Sequence, residues 1–463
     1  MLLTLLRFVI AKFLPVLGDE AYYCLWAQNL SYGYFDHPLG IAYLYYILTT
    51  LLGSTEFAIR FGAILLFTLT SGLIYLIGKD LFEHKVGLLA AIVYNIIPGF
   101  FSGSFFLMVE QPFLFLWFLG IYCVVKISKE NKPIWFLLLG ITLTLGLLTK
   151  YTMILFYPCL LLLLILSPKT RSWLKRKEFY LATLLPLLAI VPTVIWNLNY
   201  SFASMSYHGG RLNFHSNVFI NFAYFLVTQS LIYTPTFVVS CLLLCWGGIK
   251  SKDARLALLA SFSLPILFCF TGVSLFLQGG SHWTANLFPL AAIYFGWIYF
   301  KENKRWLKRS LIATVIFCIL LDVVLISYYT LLQPVPKDLI GQKYSINRKL
   351  PAFIQSISTP GHKTHVFSNE FRVASVVSFY SQEKVSLVKG RWKQFDLWGE
   401  TDLKKGDNVV YFARGQKQIF DQLKPLFKRV EKDTNHHFFV NEPDLILNTV
   451  TYLCYDYQGG KLP

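Results

Sequence analysis

The chain has 463 residues, 55% of them hydrophobic, 17% aromatic and only 14% charged, with 42 Lys and Arg against 25 Asp and Glu. A soluble globular protein carries roughly 25% charged residues, so much of this surface faces something other than water. The bases lie in short runs between long apolar stretches, the pattern of membrane topology, and no nucleic-acid partner is expected.

In chain order, residues 1–16 are apolar, contain Arg7 and Lys12 and lack a small-residue cleavage site. They predict a retained first span. A span needs about 20 apolar residues. Runs that qualify lie at about 1–17, 57–78, 86–106, 112–128, 134–149, 151–167, 179–197, 234–250, 256–277, 285–300 and 310–332. These eleven predicted crossings place the two ends on opposite sides.

One alternate set of loops holds Lys79 and Lys85, then Lys126, Lys129 and Lys132, then Lys169, Arg171, Lys175, Arg176 and Lys177. It continues with Lys250, Lys252 and Arg255, and with Lys301, Lys304, Arg305, Lys308 and Arg309. Basic loops stay cytoplasmic, which puts the N-terminus in the cytoplasm of an inner (plasma) membrane protein. Asp19, Glu20, Asp36, Glu56 and Glu110 then fall on the extracytoplasmic face. Within the outer loop 18–55, segments 20–31 and 39–52 predict helices in the interface plane. Residues 217–232 are a third such candidate; counted as a span, they would invert every later loop.

After Leu332 the composition changes, opening with Pro334-Val335-Pro336. Strand-like runs at 364–367, 385–388 and 408–412 alternate with helix-like runs at 371–380 and 416–423. The predicted architecture is a polytopic α-helical membrane domain over 1–333 followed by a small extracytoplasmic α/β domain over 334–463. Of the eight cysteines, six lie in apolar segments and none forms a CxxC pair, so neither a disulfide framework nor a zinc site is indicated.

The polar residues of the outer face are the candidates for chemistry. Asp19 reads as an N-cap and Glu20 as a first-turn acid; a carboxylate so fixed also suits a general base at the membrane surface. Asp36-His37-Pro38 follows in the same loop, where the proline holds His37 extended. Glu110 precedes Pro112 at a helix start, which suits capping. Lys150 ends the apolar run 140–150 on the face where bases are scarce. It is placed either to snorkel or to meet an anionic phosphate. Tyr207-His208-Gly209-Gly210-Arg211 combines a permissive turn with an imidazole and a guanidinium, which suits phosphate. His208 and His282 as metal ligands have only a weak basis. Asp322, inside the last predicted span, has no evident role.

Together, Gly-Asp-Glu-Ala-Tyr-Tyr (18–23), Tyr-Phe-Asp-His-Pro (34–38), Glu110-Gln111-Pro112 and Leu-Leu-Thr-Lys-Tyr-Thr (147–152) resemble the bacterial family 39 glycosyltransferases. These are similar to dolichyl-phosphate-mannose–protein mannosyltransferases and to the lipid A aminoarabinose transferase. The likeness continues through 208–211, 282–283 and 390–398. It implies the membrane-embedded C-type glycosyltransferase fold and a polyprenyl-phosphate-linked sugar donor. It also implies Asp19 as catalytic base, Glu20 as its support, and Lys150 and Arg211, with His208, at the donor phosphate. The family usually has Asp where Glu110 stands. Asp36, His37 and Glu110 complete the acidic cleft.

The donor carries its own leaving group, so no nucleotide loop is needed, and the sequence has neither a P-loop nor an Asp-X-Asp pair. No cofactor is required by this chemistry, and no ligand pattern supports a divalent metal. The implied activity is transfer of a sugar to a hydroxyl of a lipid, glycan or protein acceptor. The alternative is a transporter or flippase of lipid-linked sugars, which should place charges mid-span along a pathway. A non-catalytic scaffold would leave the acidic outer loop unexplained.

Overall fold

The computed structural model describes residues 2–210, 217–277, 280–327, 347–357, 362–388, 393–399, 401–415, 418–434 and 449–463. The chain divides into two compact units. The first comprises Met1–Arg7, Tyr32–Ile41 and Arg60–Leu325; the second comprises Phe8–Ser31, Ala42–Ile59 and Ile326–Pro463.

The first unit is helical. Five described helical stretches are long and apolar enough to cross a membrane: Glu56–Leu81, Glu110–Glu130, Lys177–Asn199, Ala254–Ser274 and Arg305–Ser327. Two more stretches qualify only as bent pairs. Tyr151–Leu166 turns by 115° into Pro168–Lys175, and Val218–Tyr233 turns by 108° into Pro235–Lys250. Gly40–Leu52, His84–Ile96 and Pro133–Thr149 are shorter apolar helices.

The breaks have local causes. The apolar run over 86–106 is not one helix, because His84–Ile96 ends at Ile97 before a six-residue helix Pro98–Gly103. Ile97 is extended (φ −63°, ψ 127°), the conformation that the following proline imposes. At Thr234, φ is 69° and ψ 145° immediately before Pro235, and the helix cannot continue through it. Lys177–Asn199 is continuous, yet its middle tightens into a 3₁₀ turn over Leu185–Ala189, where Pro186 withholds a donor.

The core of this unit is mainly aromatic and aliphatic. Trp117 meets Phe156 edge-on at 5.2 Å, and Tyr233 stacks on Phe288 at 4.1 Å. At one end, the basic loops are tied together. Lys126 and Lys129 both reach Asp80, at 3.3 and 3.5 Å, and Arg176 Nη1 donates to Asn131 Oδ1 at 2.8 Å. Several bases lie over aromatic rings: Lys250 over Trp246 at 3.9 Å, Lys301 over Trp297 at 4.6 Å and Arg255 over Phe82 at 4.9 Å. Aromatic rings beside bases are the usual furniture of a membrane–water boundary.

The second unit holds a five-stranded sheet of order β2-β1-β3-β5-β4. The strands are β1 (Thr364–Ser368), β2 (Val385–Leu387), β3 (Asn408–Arg414), β4 (Phe427–Asp433) and β5 (Thr449–Tyr457). β2, β1 and β3 are parallel, with Val366 opposite Val385 and Val410; β5 is antiparallel to both β3 and β4. Parallel β1 and β2 need a crossover, and the helix Phe371–Ser381 supplies it. The first-loop helix Gly18–Gln28 packs on that crossover helix. Tyr22 meets Phe371 edge-on at 5.2 Å and stacks on Phe395 at 5.9 Å. The Tyr22 hydroxyl also accepts from the Gln394 N–H at 2.9 Å.

Candidate functional site

In the second unit, the first-loop helix starts at Gly18, with Leu17 at the N-cap position. Asp19 is therefore not the N-cap that its type suggests. Glu20 sits at the third helical position, and its Oε2 accepts from the Leu17 N–H at 3.0 Å. This is the side-chain-to-backbone half of a capping box. Both acids stand in the first turn, where the helix dipole favours negative charge. Glu20 is fully buried and Asp19 half-buried. Nine of the helix's eleven residues are buried, so it is enclosed on nearly every side and not amphipathic.

The same helix is anchored through Tyr380 and Arg348, which sequence reasoning did not single out, and through Glu56, which it placed on the outer face without a role. Tyr380 accepts from the Val16 N–H at 3.1 Å and donates to Glu56 Oε1 at 2.5 Å. Arg348 pairs with the other oxygen of Glu56. Hydrogen bonding by that carboxylate holds the Arg348 guanidinium above its ordinary pKa. The family likeness over 390–398 signals a separate anchor, since Gln394 and Phe395 reach Tyr22; residues 390–392 lie outside the described residues.

In the first unit, four predicted or noted side chains converge. Glu110 opens the helix Glu110–Glu130, and Lys150 closes the helix Pro133–Thr149 at an extended residue (φ −150°, ψ 131°). The Lys150 Nζ donates to Glu110 Oε1 at 3.0 Å. His282 Nε2 lies 3.5 Å from the same oxygen. The field of His37 also reaches Glu110. Lys150 is buried, and its ammonium lies over the Phe113 ring at 5.0 Å. A buried lysine in this setting needs a carboxylate partner, and Glu110 provides one instead of simply capping its helix.

The loop bearing Asp36 and His37 is seated against these elements at both ends. A Cβ on Gly33 would lie 2.5 Å from Trp196 Cγ, and one on Gly40 would lie 2.7 Å from the Leu148 carbonyl oxygen. Only glycine permits both approaches. Between them, His208 Nε2 donates to the Asp36 carbonyl at 2.9 Å, and the Tyr151 ring stands edge-on to His208 at 5.7 Å. Tyr151 and Ser204 share a hydroxyl–hydroxyl bond at 3.2 Å. Sequence adjacency joins this group to the ion pair, since Tyr151 follows Lys150 and His37 follows Asp36. Arg211 lies outside the described residues.

Among the described residues, no three His, Cys, Asp or Glu side chains gather as a metal-binding group. Asp322 is buried, with Arg7 as the cation whose field reaches it. Arg7 is itself held by Ser104 and Asn95 at 2.8 and 2.9 Å.

Chemically, the first unit offers a buried cation balanced by one carboxylate, with imidazoles beside it. The second offers an acidic helix start on a rigid aromatic seat. Residues 36–196 match the family profile described as dolichyl-phosphate-mannose-protein mannosyltransferase. The chain is 23% identical over 321 residues to lipid A galacturonosyltransferase RgtD of Rhizobium johnstonii, covering 68% of this chain and 67% of that protein. It is 27% identical over 174 residues to the undecaprenyl phosphate-alpha-4-amino-4-deoxy-L-arabinose arabinosyl transferase of Erwinia tasmaniensis, covering 36% of this chain and 26% of that one. The fold is similar to the crystal structure of ArnT from Cupriavidus metallidurans bound to undecaprenyl phosphate, with a TM-score of 0.65 at 13% identity, over 98% of this chain and 97% of that one.

Proposed function

We propose that this chain, a multi-pass membrane glycosyltransferase of the family 39, C-type kind, transfers a sugar from a polyprenyl-phosphate-linked donor to a hydroxyl of a lipid, glycan or protein acceptor. The observation that carries the reading is the buried Lys150, held 3.0 Å from Glu110 inside the stretch that matches the family profile. The relatives named above are transferases, and none is named as a transporter.

The reaction has three demands. The acceptor hydroxyl loses a proton as its oxygen attacks the anomeric carbon, the bond from that carbon to the donor phosphate oxygen breaks, and the polyprenyl phosphate leaves with the electron pair. Asp19 is the base that takes the proton. Glu20, committed to the Leu17 N–H, fixes the turn that carries Asp19. Lys150, His208 and Arg211 meet the charge that develops on the leaving phosphate. Glu110 holds Lys150 in place, and Asp36 and His37 support the same acidic cleft. Single displacement inverts the anomeric centre.

The chain is oriented with its basic loops in the cytoplasm and eleven crossings, so that the first outer loop and residues 334–463 are extracytoplasmic and 1–333 form the transferase domain. The ties among Asp80, Lys126, Lys129, Asn131 and Arg176 support this reading, because they gather three basic loops at one end of the helices. The 108° bend at Thr234 supports treating 218–233 as an interfacial helix.

The test supplies a radiolabelled polyprenyl-phosphate sugar and candidate acceptors to purified protein, comparing the wild type with Asp19→Asn. Transfer by the wild type alone is expected. Equal transfer by both would remove Asp19 as the base, and donor translocation without transfer would favour a flippase.

A further inference from the structure

A cleft of ≈ 790 Å³ runs between the helix Pro133–Thr149 and the stretch Lys177–Asn199. Its walls include Ile134, Leu137, Ile141, Leu145, Leu181 and Leu188, all exposed. The two helices run parallel. Arg176 bonds Asn131 just before both begin, and a Cβ on Gly140 would lie 3.1 Å from the Ala182 Cα midway along. From Pro133 to Leu145 a helix rises about 18 Å. One leaflet is half of a hydrocarbon core about 30 Å thick, so the cleft is about one leaflet deep.

One end of the cleft, at Pro133 and Glu178, opens beside bases. The Lys132 side chain is 65% exposed, and Lys175 and Lys177 are exposed as well. Glu178, the one carboxylate among the lining residues, is gripped by Arg176 through Nη2–Oε1 at 3.1 Å and Nε–Oε2 at 3.3 Å. Lys132 shares Glu130 with Lys126. With Lys175 and Lys177 beside these ion pairs the mouth carries net positive charge, while the rest of the cleft is apolar. That polarity fits a lipid with an anionic head at this end. It does not fit the donor lipid, whose phosphate is assigned to Lys150 at the opposite end of the same helix.

We propose that this cleft holds one anionic glycerophospholipid, its acyl chains along the apolar walls and its phosphate at Lys132 and Lys177. The bound lipid completes the surface between two helices whose backbones approach closely at Gly140 and Ala182. It is a resident of the fold and is not consumed in transfer.

Native mass spectrometry tests this on the full chain, loaded with an equimolar mixture of phosphatidylglycerol, phosphatidylethanolamine and undecaprenyl phosphate. The wild type is expected to retain phosphatidylglycerol over phosphatidylethanolamine by at least about 5-fold, the order expected for one surface lysine near an anionic head. The double variant Lys132→Gln, Lys177→Gln changes only exposed side chains and should lose that preference. Thr144→Trp, which fills the cleft, should lose both phospholipids. Equal retention of the two headgroups by the wild type, an unchanged preference in the double variant, or displacement of phospholipid by undecaprenyl phosphate would each overturn the proposal.

Discussion

Lys150 and Glu110, forty positions apart in the sequence, meet at 3.0 Å where one apolar helix ends and another begins. Buried Lys150 has no comfortable environment without Glu110, whereas Glu110, whose side chain is 23% exposed, also has His282 at 3.5 Å. A buried ammonium or carboxylate that loses its partner costs several kcal/mol, far more than an exposed pair contributes.

Lys150→Met should therefore destabilise the protein by about 3 kcal/mol and lower transfer by about 100-fold or more. The double variant with Glu110→Gln should recover most of the stability and none of the activity. Thermal unfolding in detergent, read beside initial transfer rates, separates the two effects. Recovery of activity in the double variant would show that Lys150 serves the fold alone.

Asp19→Asn should lower kcat by about 100- to 10,000-fold while leaving the melting temperature within the range of an ordinary surface substitution. Glu20→Gln should behave in the opposite way. It weakens the bond to the Leu17 N–H and should cost about 1 kcal/mol, with a smaller loss of rate. If Glu20→Gln proved the more damaging to kcat at unchanged stability, the two acids would have to exchange roles.

Tyr380→Phe removes one hydroxyl and leaves both the Val16 N–H and Glu56 short of a partner. A cost of about 1–3 kcal/mol is expected. Hydrogen exchange should show the loss at residues 16–28 in particular, because the hydroxyl ties the start of the first-loop helix to the sheet unit. Protection unchanged at those positions would mean that the aromatic stack of Tyr22 on Phe395 suffices.

Gly33→Ala forces a Cβ into the Trp196 ring. Overpacking of this kind costs about 1–3 kcal/mol, and the displacement falls on the loop carrying Asp36 and His37. Transfer should fall with little change in donor affinity, and Trp196 emission should shift. Gly72→Ala is a suitable control, since a Cβ there meets nothing within 4 Å.

Much of the helical framework was legible because hydropathy and proline position act locally. The helices Glu110–Glu130 and Pro133–Thr149 lie within two residues of the apolar runs that announce them. The break at Ile97 was missed because apolar residues continue on both sides of it, and the proline rule had to compete with an unbroken hydrophobic run. Asp19 was misplaced by one frame of helix start. Its type favours an N-cap, but Glu20 three residues after Leu17 closes the cap from the other direction. The meeting of Glu110 with Lys150, and of Tyr380 with Glu56 across 324 positions, depends on tertiary packing. No local spacing encodes it.

Among the described residues, the sheet ends on one side at β4, whose sequence Phe-Lys-Arg-Val-Glu-Lys-Asp is mostly exposed beyond Phe427. A free strand edge is a template for another chain. Here the edge carries Lys428, Arg429, Glu431, Lys432 and Asp433 within a single seven-residue strand. A second copy seeking to extend the sheet would have to desolvate this dense array of charges and bring like charges together in many registers. Crowding in the plane of a membrane raises encounters between such domains, and a strand so charged disfavours edge-to-edge pairing.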